Sequence, residues 1–115
     1  MESHLQQRDG VTVLRVVGAI DVSQALALRD VLGEALAGPA PRLVIDLGAV
    51  AFVDSAGVGL LVTAHRRAAQ ESGEVLLADV QPDVARILEL TRTDRLLTVV
   101  RDVEAGVAAL RAASP

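Results

Sequence analysis

The chain has no cysteine, tryptophan or tyrosine, and its single phenylalanine is Phe52. Without cysteine there is no disulfide framework, no thiol nucleophile and no thiolate metal site. With one aromatic ring there is no stacking platform for bases or sugars. The core must therefore be aliphatic, drawn from the Ala, Val and Leu that make up most of a 51% hydrophobic fraction. Long apolar runs are missing as well: Arg, Asp or Glu interrupts every stretch before the roughly 18 residues a membrane span needs, so no membrane span is expected. Positive charge is also in deficit. Lys and Arg total 11 against 15 Asp and Glu, a formal net charge of -4 that argues against direct nucleic-acid binding and in favour of protein partners. The two histidines, His4 and His65, stand too far apart in sequence and in predicted context to suggest a metal site, and no cofactor motif is visible. The opening Met1-Glu2-Ser3-His4 carries neither the basic flank nor the apolar stretch of a signal peptide, so a cytoplasmic location is expected.

What is present is a chain of 115 residues with no repeat, low-complexity tract or linker, which reads as one domain over residues 1–115. Residues 4–7 read as an edge strand, and Arg8-Asp9-Gly10 as a turn into the β-branched run 11–17, a hairpin signal. Ser23 is a candidate N-cap for a helix carrying Leu26, Leu28, Val31, Leu32 and Leu36, ended by Gly38-Pro39-Ala40-Pro41. Leu43-Val44-Ile45-Asp46-Leu47 is a short, nearly continuous apolar run, as a central strand buried on both faces requires. A long helix is predicted from Asp54-Ser55 to Glu71, with Val58, Leu61, Val62 and His65 on its apolar stripe and Thr63, Arg66, Arg67 and Gln70 elsewhere. Residues 74–78 form a strand, and Gln81-Pro82-Asp83 starts a helix bearing Val84, Ile87, Leu88 and Leu90. Residues 96–100 form a last strand, and Asp102 caps a terminal helix with Val103, Val107 and Leu110, weakened by Gly106. The sum is an α/β architecture: a mixed central sheet, an opening antiparallel hairpin and about four helices.

The informative segment is Phe52-Val53-Asp54-Ser55-Ala56-Gly57-Val58-Gly59-Leu60-Leu61, which sets a hydroxyl at the junction of a strand loop and a helix. A helix start presents unpaired N–H groups and a partial positive charge, so a phosphate on Ser55 can be held there without unfolding the helix. Gly57 and Gly59 are expected to leave a low surface where another protein's backbone can approach. The plain alternative is that Asp54 or Ser55 caps the helix and the glycines ease packing. Nucleophilic hydrolysis is disfavoured because Val53 replaces the first glycine of a G-x-S-x-G elbow, and Gly57-Val58-Gly59 lacks the Lys-Ser/Thr of a phosphate-binding loop.

Asp54-Ser55-Ala56-Gly57-Val58-Gly59 resembles the signature of the STAS domain of bacterial anti-sigma-factor antagonists, in which the phosphorylatable serine directly follows an aspartate. The resemblance extends upstream through Gly18-Ala19-Ile20-Asp21 and the strand 43–47, and downstream through residues 90–100, covering nearly the whole chain in order. It implies a STAS-like fold and a non-enzymatic switch. The unphosphorylated form would bind an anti-sigma factor that is also a GHKL-type serine kinase, releasing the sigma factor. Phosphorylation of Ser55 would switch binding off, and a serine phosphatase would restore it. The implied partner-binding residues are Asp21, Asp54, Ala56, Gly57, Gly59, Leu60, Thr63 and Arg67. Ala56 stands where many relatives have a second hydroxyl, and Arg92 where a glycine is usual after the third helix. Two alternatives remain: a scaffold subunit of a multi-protein sensor or transport complex with Ser55 unmodified, and a small hydrolase using Asp54 or Asp21 as base.

Overall fold

The computed structural model describes residues 1–112. The chain opens with β1 (Glu2–Arg8) and β2 (Val11–Val17), antiparallel and in unbroken register from Glu2 opposite Val17 to Arg8 opposite Val11. Asp9 and Gly10 join them, both at positive φ (54° and 79°), the combination a two-residue type I′ turn needs. There follow α1 (Ala25–Ala35), β3 (Arg42–Ala49), α2 (Ser55–Gln70), β4 (Glu74–Ala78), α3 (Pro82–Leu90), β5 (Thr98–Val100) and α4 (Val103–Ala112). The sheet runs β1-β2-β3-β4-β5, and every pairing after the hairpin is parallel. This is the mixed α/β sheet with four helices that the sequence predicts.

The apolar run of β3 ends in the middle of the sheet because helices cover both of its faces. Leu43, Ile45 and Leu47 pack with the buried residues of α1, α2 and α3, whereas Val44 joins Val11, Val13, Leu76, Val107 and Leu110 under α4. All four β3 side chains are fully buried. The helix of α4 comes close at Gly106, where a Cβ would stand 3.0 Å from a Val44 methyl. The glycine weakens the helix by propensity and eases the approach, since a Cβ would require the Val44 and Val100 methyls to give by a few tenths of an ångström. The cap expected of Asp102 is present, its carboxylate accepting from the Ala105 amide at 2.8 Å.

Several local expectations are corrected. Ser23 does not cap α1; the chain first makes a 3-10 turn over Val22–Gln24 whose cap is Asp21, and Ser23 donates its amide to the Asp21 carboxylate at 2.9 Å. Leu26 is 66% exposed and Leu90 73% exposed, so neither belongs to its helix's buried stripe. The register explains this for α1: the covered face is Leu28, Leu32 and Ala35, and Leu26 is followed one turn later by Asp30. The first strand is longer than residues 4–7, because pairing with β2 continues to both ends. The last is shorter than 96–100: only Thr98, Val99 and Val100 pair with β4, while Leu97 is buried and Leu96 exposed ahead of the strand. Arg92 takes φ 60°, the left-handed conformation that glycine adopts most readily, which is why a glycine would suit this position.

Candidate functional site

The loop after β3 returns to pair with the loop after β2. Ile20 donates its amide to the Phe52 carbonyl at 2.9 Å, and Asp54 donates its own to the Ile20 carbonyl at 3.0 Å, a one-residue parallel bridge between Ile20 and Val53. Ile20 and Val53 point inward and are buried, which turns Asp54 outward at the start of α2. Asp54 then serves two elements at once. One carboxylate oxygen accepts from the Gly57 amide at 3.0 Å, the N-cap bond of α2, and the other accepts from the Val22 amide at 3.0 Å. A single side chain thus fixes the β2–α1 loop against the start of α2. Ser55, the first residue of that helix, is exposed.

Asp21, on the other side of this junction, is held by the Ser23 hydroxyl and then by the Ser23 amide, and these hydrogen bonds keep its carboxyl below the usual carboxylate range. It is ionised at neutral pH. Ser55 therefore sits at a helix start, where the peptide dipoles favour negative charge, with an aspartate immediately before it that is already committed to two backbone donors. The carboxylates of Asp21 and Asp54 are occupied in building the site. What they offer a visitor is charge and rigidity.

The two glycines separate. Gly57 is buried, and a Cβ there would stand 2.7 Å from methyl groups of Ile20 and Val53, so it serves close packing and not the low outer surface expected of it. Gly59 is exposed with nothing within 4 Å of a hypothetical Cβ. Ala56 is half-buried beside them. Thr63 is exposed and returns its hydroxyl to the Gly59 carbonyl at 2.9 Å. Arg67 is exposed one turn on, with a guanidinium nitrogen 3.6 Å from where a Cβ on Gly33 of α1 would stand. Leu60, which the resemblance implies meets a partner, is half-buried and packs in part against the main core. His65 is half-buried, in keeping with its place on the stripe.

None of the apolar residues that do reach solvent here was expected from the sequence to meet a partner. Val22 is 72% exposed and its amide is bonded to Asp54; Leu26 follows one helical turn later; Phe52, two residues before Asp54, is 48% exposed. The signal for Leu26 was available, since it lies off the 28, 32, 35 stripe of its own helix. Among the described residues there is no group of three or more His, Cys, Asp or Glu able to hold a metal, and no helix long and apolar enough to cross a membrane.

A mixed sheet opened by a hairpin, with a serine opening an aspartate-capped helix where the loop after its middle strand ends, defines a class of small α/β modules. The family model for the STAS domain matches residues 2–106. The anti-sigma-F factor antagonist RsfB of Mycobacterium tuberculosis is 35% identical over 101 residues, covering 86% of this chain and 83% of the relative. The crystal structure of an anti-sigma factor antagonist from Mycobacterium paratuberculosis superposes with a TM-score of 0.85 at 31% identity, over 96% of this chain and 93% of the other. The Bacillus protein SpoIIAA in its phosphorylated form shares the fold, with a TM-score of 0.69 at 18% identity over 94% and 99% of the two chains. The chain belongs to the STAS domain family.

Proposed function

We propose that this protein is an anti-sigma-factor antagonist whose unphosphorylated form binds an anti-sigma factor of the GHKL serine-kinase type and so releases a sigma factor. Phosphorylation of Ser55 by that kinase ends the binding, and a serine phosphatase resets it. The observation that carries the reading is Ser55 itself: an exposed hydroxyl on the first residue of α2, on a junction that Asp54 ties together through two hydrogen bonds. Relatives named as anti-sigma antagonists, at 35% and 31% identity over most of the chain, support it. A kinase needs a hydroxyl that it can reach without unfolding its substrate, and a phosphate at a helix start meets N–H groups that would otherwise lack partners. The protein acts in the cytoplasm, without a cofactor and without catalysis of its own.

Incubation with the partner kinase and ATP, followed by peptide mass spectrometry, is expected to place one phosphate on Ser55. Ala56 offers no neighbouring hydroxyl to compete. Phosphate on Thr63 or Ser23 instead would reject the assignment, and no phosphate at all with the kinase still bound would favour the scaffold reading.

The partner's footprint extends over Gly59, Thr63 and Arg67 on α2 and onto the exposed apolar side chains of Val22, Leu26 and Phe52. Interface cores draw their energy from such apolar anchors when water leaves them. Leu26→Glu is expected to weaken kinase binding about tenfold or more while leaving the melting temperature unchanged, since the side chain is 66% exposed. Calorimetry and thermal denaturation on the same sample check both halves. A drop in stability with unaltered affinity would place Leu26 in the core and outside the interface.

A further inference from the structure

The outer edge of β1 has no neighbouring strand among the described residues. It is a long edge: β1 keeps register with β2 over its whole length, contains no proline and no bulge, and its residues from Glu2 to Gln7 are all exposed. The opposite edge of the sheet, β5, is only three residues long. Sheet proteins usually blunt a long open edge with proline, an inward charge or a bulge, because its unpaired amides and carbonyls are ready to pair with another strand.

The sequence of β1, Glu2-Ser3-His4-Leu5-Gln6-Gln7-Arg8, is self-complementary when laid antiparallel on a second copy and centred on Leu5. In that register Glu2 lies opposite Arg8 of the other copy, Ser3 opposite Gln7, His4 opposite Gln6, and Leu5 opposite Leu5. Side chains alternate between faces, so a two-fold axis normal to the sheet must pass through a residue for opposed side chains to share a face. Centring on His4 sets His4 against itself and Glu2 against Gln6; centring on Gln6 sets His4 against Arg8. Only the Leu5 register matches opposite charges and joins the two leucines. The pairing with β2 supports the same faces: Arg8 sits opposite Val11 on the side covered by α4, where its guanidinium already meets Glu104, and Leu5 sits opposite Leu14 on the side of α1. Arg8 has donors to spare for a second carboxylate. Leu5 is 36% exposed and lines an open groove with Gln7, Thr12, Ala35 and Ala37, which a second leucine would cover.

We propose that β1 is a homodimerisation edge, joining two copies through antiparallel β1–β1 pairing centred on Leu5 into one continuous sheet. Opposed charged pairs and apolar cross-strand contacts on such a ladder favour one register over its neighbours. The Ser55 end of each copy is not part of this edge, so the proposal stands independently of the switch.

Sedimentation equilibrium on the full chain is expected to show a monomer–dimer equilibrium with a dissociation constant between about 1 µM and about 1 mM, as befits a small interface. Glu2→Arg, at a residue whose one ion pair among the described residues is with His4, should weaken it about tenfold. The combined Glu2→Arg and Arg8→Glu variant should restore it. Circular dichroism establishes that each variant is folded. Because the chain has no cysteine, Leu5→Cys gives a second readout: oxidation should link two copies through Cys at position 5, and Val99→Cys on the β5 edge should link far more slowly. A single monomeric mass up to about 1 mM, dimerisation unmoved by the charge reversal, or equal linking at both edges would each overturn the proposal.

Discussion

Phosphorylated Ser55 is expected to hold the anti-sigma kinase at least about a hundredfold more weakly than the free hydroxyl does, with the fold unchanged. A phosphoserine brings about -1.5 to -2 charges at neutral pH. It would be set next to Asp54, whose carboxylate accepts from the amide of Val22, the residue after Asp21, and hydrogen bonds from Ser23 hold the Asp21 carboxyl below the usual carboxylate range. Within the protein the start of α2 offsets part of that charge, typically about 0.3–1 kcal/mol at an exposed site, so nothing needs to rearrange. A partner surface fitted to a neutral hydroxyl has no such compensation. Burying the new anion against it costs several kcal/mol, and about 1.4 kcal/mol is a factor of ten in affinity. Calorimetry on the two forms with one kinase preparation measures the difference. Amide spectra should move only around Asp21, Val22 and Ser55; changes spread through the sheet would mean a refolding switch instead.

The second large effect is expected at Asp54. Asp54→Ala removes the α2 cap to the Gly57 amide and the tether to the Val22 amide together. An N-cap is worth about 0.5–2 kcal/mol and a further hydrogen bond about 0.5–1.5 kcal/mol, so a loss of about 2 kcal/mol is expected. For a chain of this size that lowers the melting temperature by roughly 10 °C. Asp54→Asn keeps one acceptor oxygen and should fall between the two. The loss should also appear in function, because the β2–α1 loop carrying Val22 would no longer be fixed beside Ser55. An alanine variant with unchanged melting temperature would show that the loop is held by the Ile20–Val53 bridge alone.

Much of this architecture is legible in the chain because burial on both faces leaves a distinctive trace. The run Leu43-Val44-Ile45 has no polar alternation, and its strand lies between helical layers on either side. The hairpin is equally readable, since Asp9-Gly10 supplies the two positive φ values that its turn requires. Asp54-Ser55 at a loop–helix junction marks the candidate site, and the aspartate is the cap of α2. What is not legible depends on which neighbour arrives across the sheet. Gly57 and Gly59 look alike in sequence, yet only Gly57 meets Ile20 and Val53, residues brought there by pairing of two distant loops. Ser23 and Asp21 are both good caps, and the 3-10 turn Val22–Gln24 takes Ser23 into itself and Asp21 as its cap. Leu60 and Leu26 carry the same side chain on neighbouring helices; the α1–α2 packing draws Leu60 partly inward and leaves Leu26 in solvent.

The most direct test of the switch uses a preformed complex of the unphosphorylated protein and its anti-sigma kinase, followed by light scattering as ATP is added. The wild-type complex is expected to dissociate with ATP and to persist with a non-hydrolysable analogue. The Ser55→Ala complex is expected to persist in both. Dissociation of the Ser55→Ala complex by ATP, or a wild-type complex that stays intact after Ser55 has been fully phosphorylated, would contradict the account.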